Sequence, residues 1–513
     1  MEKEVFLMLA KCWKQLKSGT DIRGVACEGV AGEPVNLTDE AIGKIADGFL
    51  LWLSKTAGKE AASLTVAVGH DSRVSAERIR SECVRVLSAA GVRVLDCGLS
   101  STPAMFMVTQ DLGCDGSIQI TASHHPWNRN GLKFFTRGGG LDGPDIEEIL
   151  QHAQDGDKLA VGAGSAEKVD YMARYSGHLR DIIRRGVNAK DYGHPLSGFH
   201  IVVDAGNGAG GFYAADVLAP LGADTSGSQF LEPDGRFPNH IPNPENEAAM
   251  ESVCGAVVRA KADLGVIFDT DVDRGGAVDQ NGREINRNRL VAIASAIALR
   301  DCPGGTVVTD SITSSGLKEY IEKTLGGKHR RFKRGYRNVI NEAVRLNREG
   351  VNCPLAIETS GHAAMKENYF LDDGAYLVTK IIIESAQLRA QGRTLDHLLA
   401  PLKEPREALE LRFPILAEDF RPVGESVISA LQSYAEKQAG WTVSPDNFEG
   451  IRVSLDPEHG DGWFLLRLSV HDPIMPLNME SDSNGGVRKI AGQLHAFLNS
   501  CEKLDLSAFN NLW

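Results

Sequence analysis

Three times along the chain, a short β-branched apolar run is followed by a polar or glycine-containing turn and then by apolar residues at helical spacing. The first set is Leu64-Thr-Val-Ala-Val68, the turn Gly69-His-Asp-Ser-Arg73, a helical stretch over 76–90 and a further strand at Val92-Arg-Val-Leu95. The second is Ile201-Val-Val203, then Asp204-Ala-Gly-Asn-Gly-Ala-Gly-Gly211 and a helix running toward Pro220. The third is Thr306-Val-Val-Thr309, then Asp310-Ser-Ile-Thr-Ser-Ser-Gly316 and a helix through Leu325. Strands alternating with helices predict βαβ units, and therefore α/β domains with mixed, mostly parallel sheets. The sets lie about 105 to 140 residues apart, too far for a solenoid repeat and about right for consecutive domains.

After Leu402 this plan stops. Lys403-Glu-Pro-Arg-Glu407 reads as a linker, and the remainder has strand-like and helix-like runs without a fourth strand–turn–helix unit. Loop-like stretches at 156–164 and 188–198 mark the first boundary, which we place near the second of them. The division expected is three related α/β domains over 1–190, 191–300 and 301–405, and a smaller C-terminal α+β domain over 406–513.

Composition narrows the function. With 55 Lys+Arg against 68 Asp+Glu, the 513-residue chain carries a formal charge of −13, and without a long basic run it is a poor nucleic-acid ligand. No stretch reaches the roughly 18 apolar residues of a bilayer span, and the acidic opening lacks a secretory pattern, so no membrane partner is expected. Nine cysteines are scattered singly without a Cys-x-x-Cys spacing, which predicts neither a disulfide framework nor a zinc site. An intracellular, reducing location follows, the cytoplasm first and the plastid stroma as the alternative. The 54 glycines have no collagen-like period and imply many tight turns or ligand loops.

Four loops carry candidate chemistry. In Thr121-Ala-Ser-His-His-Pro-Trp-Asn-Arg-Asn-Gly-Leu-Lys133, a serine is followed by two imidazoles, with Arg129 and Lys133 close by. A serine hydroxyl needs a base or charged surroundings to react, and these cations suit a phosphoserine dianion; the alternative is a proline-containing surface turn. In Phe268-Asp-Thr-Asp-Val-Asp-Arg-Gly-Gly276, three carboxylates alternate after an apolar strand, where mutual repulsion calls for a hard divalent cation. Arg274 and Gln280 stand where an EF-hand needs Gly and Glu, which excludes calcium-sensor chemistry and leaves a solvated acidic turn as the alternative.

The third loop, Glu358-Thr-Ser-Gly-His362, places carboxylate, hydroxyl and imidazole on a glycine-containing turn, a hydroxyl-binding loop or a structural turn. Upstream of it, Arg330-Arg-Phe-Lys-Arg-Gly-Tyr-Arg337 is a basic cluster in an acidic protein, suited to phosphate or simply solvated. The fourth, Arg467-Leu-Ser469, beside Arg452 and Ser454, has the residue types of a phosphate clamp.

Taken in this order, from Gly19-Thr-Asp-Ile-Arg-Gly24 to the Arg467 loop, these motifs resemble the α-D-phosphohexomutase superfamily of phosphoglucomutases, phosphomannomutases and phosphoglucosamine mutases. The resemblance implies three α/β domains and a C-terminal domain similar to the TATA-binding-protein fold. It implies that Ser123 carries the transferable phosphoryl group, and that Asp269, Asp271 and Asp273 hold Mg²⁺ together with a phosphoserine oxygen. Lys133 and His124 become candidates for proton transfer, and Arg23 and Arg274 stabilise phosphoryl charge. Glu358 and Ser360, with His362 nearby, would bind sugar hydroxyls, and Arg334 and Arg337 would orient substrate. Arg467 and Ser469 would hold the non-reacting phosphate. The implied activity interconverts hexose 1- and 6-phosphates of glucose or mannose through hexose 1,6-bisphosphate, with glucosamine phosphate the next candidate, in a monomer or homodimer.

One motif departs. Where the family usually has Arg-x-Ser-Gly-Thr-Glu-Pro, this chain reads Arg467-Leu-Ser469-Val-His-Asp-Pro473, so that Val470, His471 and Asp472 replace Gly, Thr and Glu. Valine resists the close approach and positive φ that glycine allows, which predicts a reshaped phosphate grip. That departure favours a hexose 1,6-bisphosphate synthase with weak mutase activity, or a non-catalytic sugar-phosphate-binding module, as alternatives. A haloacid-dehalogenase-type phosphatase with Asp269 as nucleophile is a further rival, but it wants Thr or Val at Asp273 and leaves the Ser123 loop unexplained.

Overall fold

The computed structural model describes residues 9–469 and 472–512, so Val470 and His471 of the divergent loop lie outside the described residues. The chain forms two compact units. The first comprises residues up to Asn286 with Ser360–Ala364 and Leu371–Leu395; the second comprises Arg287–Thr359, Met365–Phe370 and the chain from Asp396 onward.

In the first unit, strands Thr65–His70, Arg93–Leu99 and Gly116–Ile120 pair in parallel, with Thr65–His70 in the middle. Ser165–Lys168 extends this sheet in parallel beyond Arg93–Leu99, while Arg129–Thr136 and Asp21–Val25 extend it antiparallel on the other side. Helices Asp39–Ala57 and Gly143–Asp155 bury Phe49, Leu53, Ile146 and Leu150 in the core with Ile118 and Phe134. A second sheet pairs Leu264–Phe268 in parallel with Ile201–Asp204 and antiparallel with Gly275–Asp279.

The helix expected toward Pro220 is a short wide-turn segment, Tyr213–Leu218, closed by a tight turn at Ala219–Leu221. Pro220 supplies no amide hydrogen to continue the wide turn, and the winding ends at Gly222, whose φ is 86°. The helix expected through Leu325 likewise begins at Ser315–Glu319 and loosens into a wide turn over Tyr320–Thr324.

In the second unit, Thr306–Thr309 lies in parallel between Lys328–Arg331 and Leu355–Ile357. The C-terminal part is a five-stranded antiparallel sheet ordered Glu407–Pro414, Ile474–Ser481, Gly462–Leu466, Ile451–Leu455 and Trp441–Val443. Helices Phe420–Ala435 and Gly486–Leu498 contribute to its core through Leu431, Ile490 and Leu494, packed with Phe413 and Phe464. Three consecutive α/β domains followed by a β-rich C-terminal domain are thus present, as the sequence pattern predicts. Among the described residues no helix is long and apolar enough to cross a membrane, and all nine cysteines are free thiols.

Candidate active site

Two turns build the reactive centre of the first unit, and each connects antiparallel strands. The serine loop joins Gly116–Ile120 to Arg129–Thr136, and the same hairpin places Lys133 opposite Gln119. The aspartate loop joins Leu264–Phe268 to Gly275–Asp279, with Phe268 facing Gly275. Its strand is therefore parallel to one neighbour and forms a hairpin with the other. Ser123 has φ 49° and Val272 has φ 69°, left-handed conformations that a β-branched residue such as Val272 rarely adopts.

Packing holds the aspartate loop in place. A Cβ at Gly208 would stand 2.6 Å from Thr270 O and 2.8 Å from its Cα, so this glycine lets the loop lie directly on the Asp204–Gly211 turn. Ala209 N–H donates to Thr270 O at 2.8 Å. From the start of helix Thr102–Asp111, Thr102 donates its Oγ1 to Asp271 Oδ2 at 2.5 Å and its N–H to Asp271 O at 2.8 Å.

The structure brings Ser123 to the aspartates. Ser123 Oγ donates to Asp269 Oδ2 at 3.0 Å and accepts from Arg274 Nη2 at 2.7 Å. Arg274 also donates through Nε to Asp269 Oδ2 at 3.3 Å and through Nη1 to Asn243 Oδ1 at 3.1 Å. Lys133 Nζ lies 2.5 Å from Asp273 Oδ2 and 3.1 Å from Asp271 Oδ2. Ser123, Lys133, Arg274 and the three aspartates are all buried.

These charges shift one another. Burial, with Asp273 and Asp271 beside it, holds the Asp269 carboxyl well above its ordinary range. Burial acts the same way on Asp273, but Lys133, His362 and Arg274 outweigh it and hold that carboxyl low. His124 Nδ1 lies 3.3 Å from Ser123 Oγ and also contacts Arg274 Nη2. Burial, then Arg274, His125 and Arg23, lowers His124 to about 2, so its ring is neutral. Arg23 pairs with Asp21 at 2.7 Å. Burial would lower His362, yet Asp372 at 2.6 Å and Asp273 push it up to about 9. Ser360 is buried in this same unit.

The residues fit a divalent cation. One carboxylate oxygen from each of Asp269, Asp271 and Asp273 lies within 4.8 Å of the others. Asp271 Oδ1 and Asp273 Oδ1 are buried without a hydrogen-bond partner, and such oxygens are the natural ligands of a hard ion.

The remaining predicted residues belong to the second unit. Glu358 Oε1 accepts from Gly335 N–H at 2.6 Å, which ties the Glu358 turn to the basic loop. Arg334 N–H donates to Glu449 Oε1 at 2.9 Å, and Arg337 is half-buried in the first turn of helix Tyr336–Arg348. Arg467 is buried at the end of strand Gly462–Leu466; burial lowers its pKa while Glu449 opposes the shift. Ser469 accepts from Asp472 N–H at 3.3 Å through Oγ.

Sequence reasoning passed over four residues. Arg73 and Thr102 support the two reactive turns, and Asn243 holds Arg274. Asp310 is a buried carboxylate that accepts from Thr359 Oγ1 at 2.7 Å and N–H at 3.3 Å. Asp71 and Arg73, in the turn after the first apolar strand, were the one available signal. The others stand in ordinary-looking turns and become visible only through tertiary contacts.

Comparison with known proteins agrees with this architecture. Profiles described as phosphoglucomutase/phosphomannomutase α/β/α domains I, II and III match residues 14–160, 174–282 and 286–404. A phosphoglucomutase of Neisseria gonorrhoeae is 29% identical over 495 residues, covering 96% of this chain and 98% of that protein. A phosphomannomutase/phosphoglucomutase of Pseudomonas aeruginosa is 28% identical over 460 residues, covering 89% and 92%. The crystal structure of a phosphoglucomutase/phosphomannomutase family protein from Burkholderia thailandensis superimposes with a TM-score of 0.77 at 26% identity, over 96% of this chain and 98% of that one. With three successive domain profiles matched across most of its length, the chain belongs to the phosphoglucomutase/phosphomannomutase family of phosphotransferase isomerases, within the α-D-phosphohexomutase superfamily.

Proposed function

We propose that this enzyme interconverts hexose 1-phosphate and hexose 6-phosphate, of glucose or mannose, by passing a phosphoryl group through Ser123 and a hexose 1,6-bisphosphate. The observation that carries the reading is Ser123 Oγ held 3.0 Å from Asp269 Oδ2 and 2.7 Å from Arg274 Nη2, beside two further buried carboxylates. Asp269, Asp271 and Asp273, with a phosphoserine oxygen, are the residues that would hold Mg²⁺. When bound, that ion supplies neutralisation of phosphoryl charge.

The chain's own residues do the rest. In the forward step the Ser123 Oγ–P bond breaks as a sugar oxygen–P bond forms, the sugar hydroxyl loses its proton and Oγ gains one. Arg274 bonds Oγ and offsets charge as it leaves, and Arg23 adds a further cation. Lys133, paired with Asp271 and Asp273, and His124, whose ring lies 3.3 Å from Oγ, are the candidates for moving these two protons. Glu358, Ser360 and His362 bind sugar hydroxyls. Arg334, Arg337, Arg467 and Ser469 bind the phosphate that is not reacting. The bisphosphate then returns its other phosphate to Ser123.

We assign these roles to domains over 1–190, 191–300, 301–405 and 406–513, in a cytoplasmic monomer or homodimer whose partners are small hexose phosphates. A second reading, bisphosphate synthase with weak mutase turnover, is favoured by the sequence Val470-His471-Asp472 in the phosphate loop. Glucosamine phosphate is the third substrate to try.

The test is a phosphoryl-transfer assay over glucose, mannose and glucosamine 1- and 6-phosphates, with and without bisphosphate and Mg²⁺, alongside intact-mass measurement. One phosphate on the wild-type protein, lost together with all transfer in Ser123→Ala, is the expected result. Transfer that survives in Ser123→Ala overturns the reading, and a bound sugar phosphate with no transfer assigns the chain a binding role instead. Bisphosphate released in excess of isomerised product selects the synthase.

A further inference from the structure

We propose that Arg73 is a positioning residue for phosphoryl transfer, its guanidinium fixing the backbone from which the Ser123 hydroxyl projects. The inference rests on the reading of Ser123 as the phosphoryl carrier. Arg73 lies in the turn after strand Thr65–His70, and its side chain is fully buried, so substrate does not reach it.

Its two terminal nitrogens serve four carbonyls of a single loop. Nη1 donates to Pro126 O at 2.8 Å and to Arg129 O at 2.7 Å. Nη2 donates to His125 O at 2.6 Å and to Ser123 O. Asp71 approaches Arg73 Nε at 3.5 Å and accepts the Arg73 N–H at 2.9 Å, which orients the arginine from behind. Phe237 covers the guanidinium, with its ring centroid 5.3 Å from Cζ.

The consequence falls on Ser123. Its N–H donates to Thr121 Oγ1 at 2.9 Å, and its carbonyl is bound by Arg73, so the residue is pinned on both sides in its left-handed conformation. With the backbone fixed, Oγ points at Asp269 and Arg274. A guanidinium is required for this grip, because two nitrogens in a rigid plane reach carbonyls that one ammonium cannot span. Arg73 would therefore act on the rate of transfer and not on substrate affinity, since a small misplacement of a nucleophile can cost about 100-fold in rate.

The experiment compares Arg73→Lys, the uncharged Arg73→Gln and the truncated Arg73→Ala with wild type and Ser123→Ala, checking fold by circular dichroism and thermal melting. Steady-state kinetics are combined with the rate of phosphorylation of the protein by glucose 1,6-bisphosphate, followed by intact mass. The expected result is a loss of about 100-fold in kcat and in serine phosphorylation, with KM within about threefold of wild type. Guanidinium ion at millimolar concentration is expected to restore at least tenfold to Arg73→Ala and nothing to Ser123→Ala. Folded Arg73→Lys and Arg73→Gln proteins that both keep kcat within about threefold of wild type overturn the proposal, as does a loss confined to KM. A wild-type protein that acquires no phosphate fails the Ser123 reading instead, and is recognised before any Arg73 variant is compared.

Discussion

Lys133 Nζ stands 2.5 Å from Asp273 Oδ2, an ammonium buried against a carboxylate whose own pKa it helps to hold down. The same ammonium faces Asp271, so one cation offsets part of a three-carboxylate cluster. Removing one partner of a buried charge cluster leaves the rest uncompensated and costs roughly 3–5 kcal/mol. Lys133→Met is therefore expected to lower the melting temperature of the first unit in chelator. Added Mg²⁺ should raise the melting temperature of this variant more than that of wild type. Scanning calorimetry with and without Mg²⁺ checks both, and equal Mg²⁺ responses would count against the cluster as the cation site.

Thr102 holds the aspartate loop through Asp271 without being an expected ligand. A hydrogen bond to a charged buried group is worth about 1.5–3 kcal/mol, and groups that orient metal ligands typically change affinity about 10–100-fold. Thr102→Val should raise the Mg²⁺ concentration needed for half-maximal activity about tenfold, with activity recovered at saturating Mg²⁺. A Mg²⁺ titration of initial rates reads this directly.

Gly208 supports the same loop from beneath. A methyl group there meets backbone atoms of Thr270, which cannot swing aside as a side chain would. Overpacking of this kind costs about 1–3 kcal/mol, so Gly208→Ala should shift urea unfolding by that amount and reduce activity as the aspartates move. Gly304→Ala is the matched control, since its open surroundings leave only the strain of its positive φ.

Much of this site is legible in the sequence because its residues are close together along the chain. Ser123, His124 and Lys133 lie on one hairpin and Asp269, Asp271, Asp273 and Arg274 on another, so spacing alone delivers two reactive groups. That the hairpins meet is a tertiary fact. No local pattern shows that Thr102 touches Asp271, or that Asn243 bonds Arg274. The wide turns over Tyr213–Leu218 and Tyr320–Thr324 were equally hidden, because apolar spacing does not separate an ordinary helix from a looser one.

Glu480 is expected to make the stability of the second unit depend on pH. It accepts from Trp463 Nε1 at 2.9 Å, and Arg452 Cζ rests 3.5 Å from the centroid of that indole ring. Burial raises the Glu480 carboxyl from 4.5 to about 7, although Arg452 and Trp463 oppose the shift. The folded state thus holds a proton that the unfolded state releases above 4.5. This contribution is complete below pH 4.5, declines as pH rises and is lost above about 7. Allowing for partial exposure, the loss is about 2 kcal/mol. Glu480→Gln should remove that slope while keeping the acceptor for Trp463, and unfolding followed by tryptophan fluorescence at pH 5 and pH 8 measures it.

Ser123 and Val272 both occupy backbone conformations that an isolated peptide of this sequence would seldom visit. The Ser123 turn and the aspartate turn therefore come into being only when the surrounding domain has assembled. Competence then depends on local order: on warming, phosphoryl exchange should fade with the first local opening of either hairpin, ahead of the global melt. A nascent or truncated chain would be silent rather than weakly active.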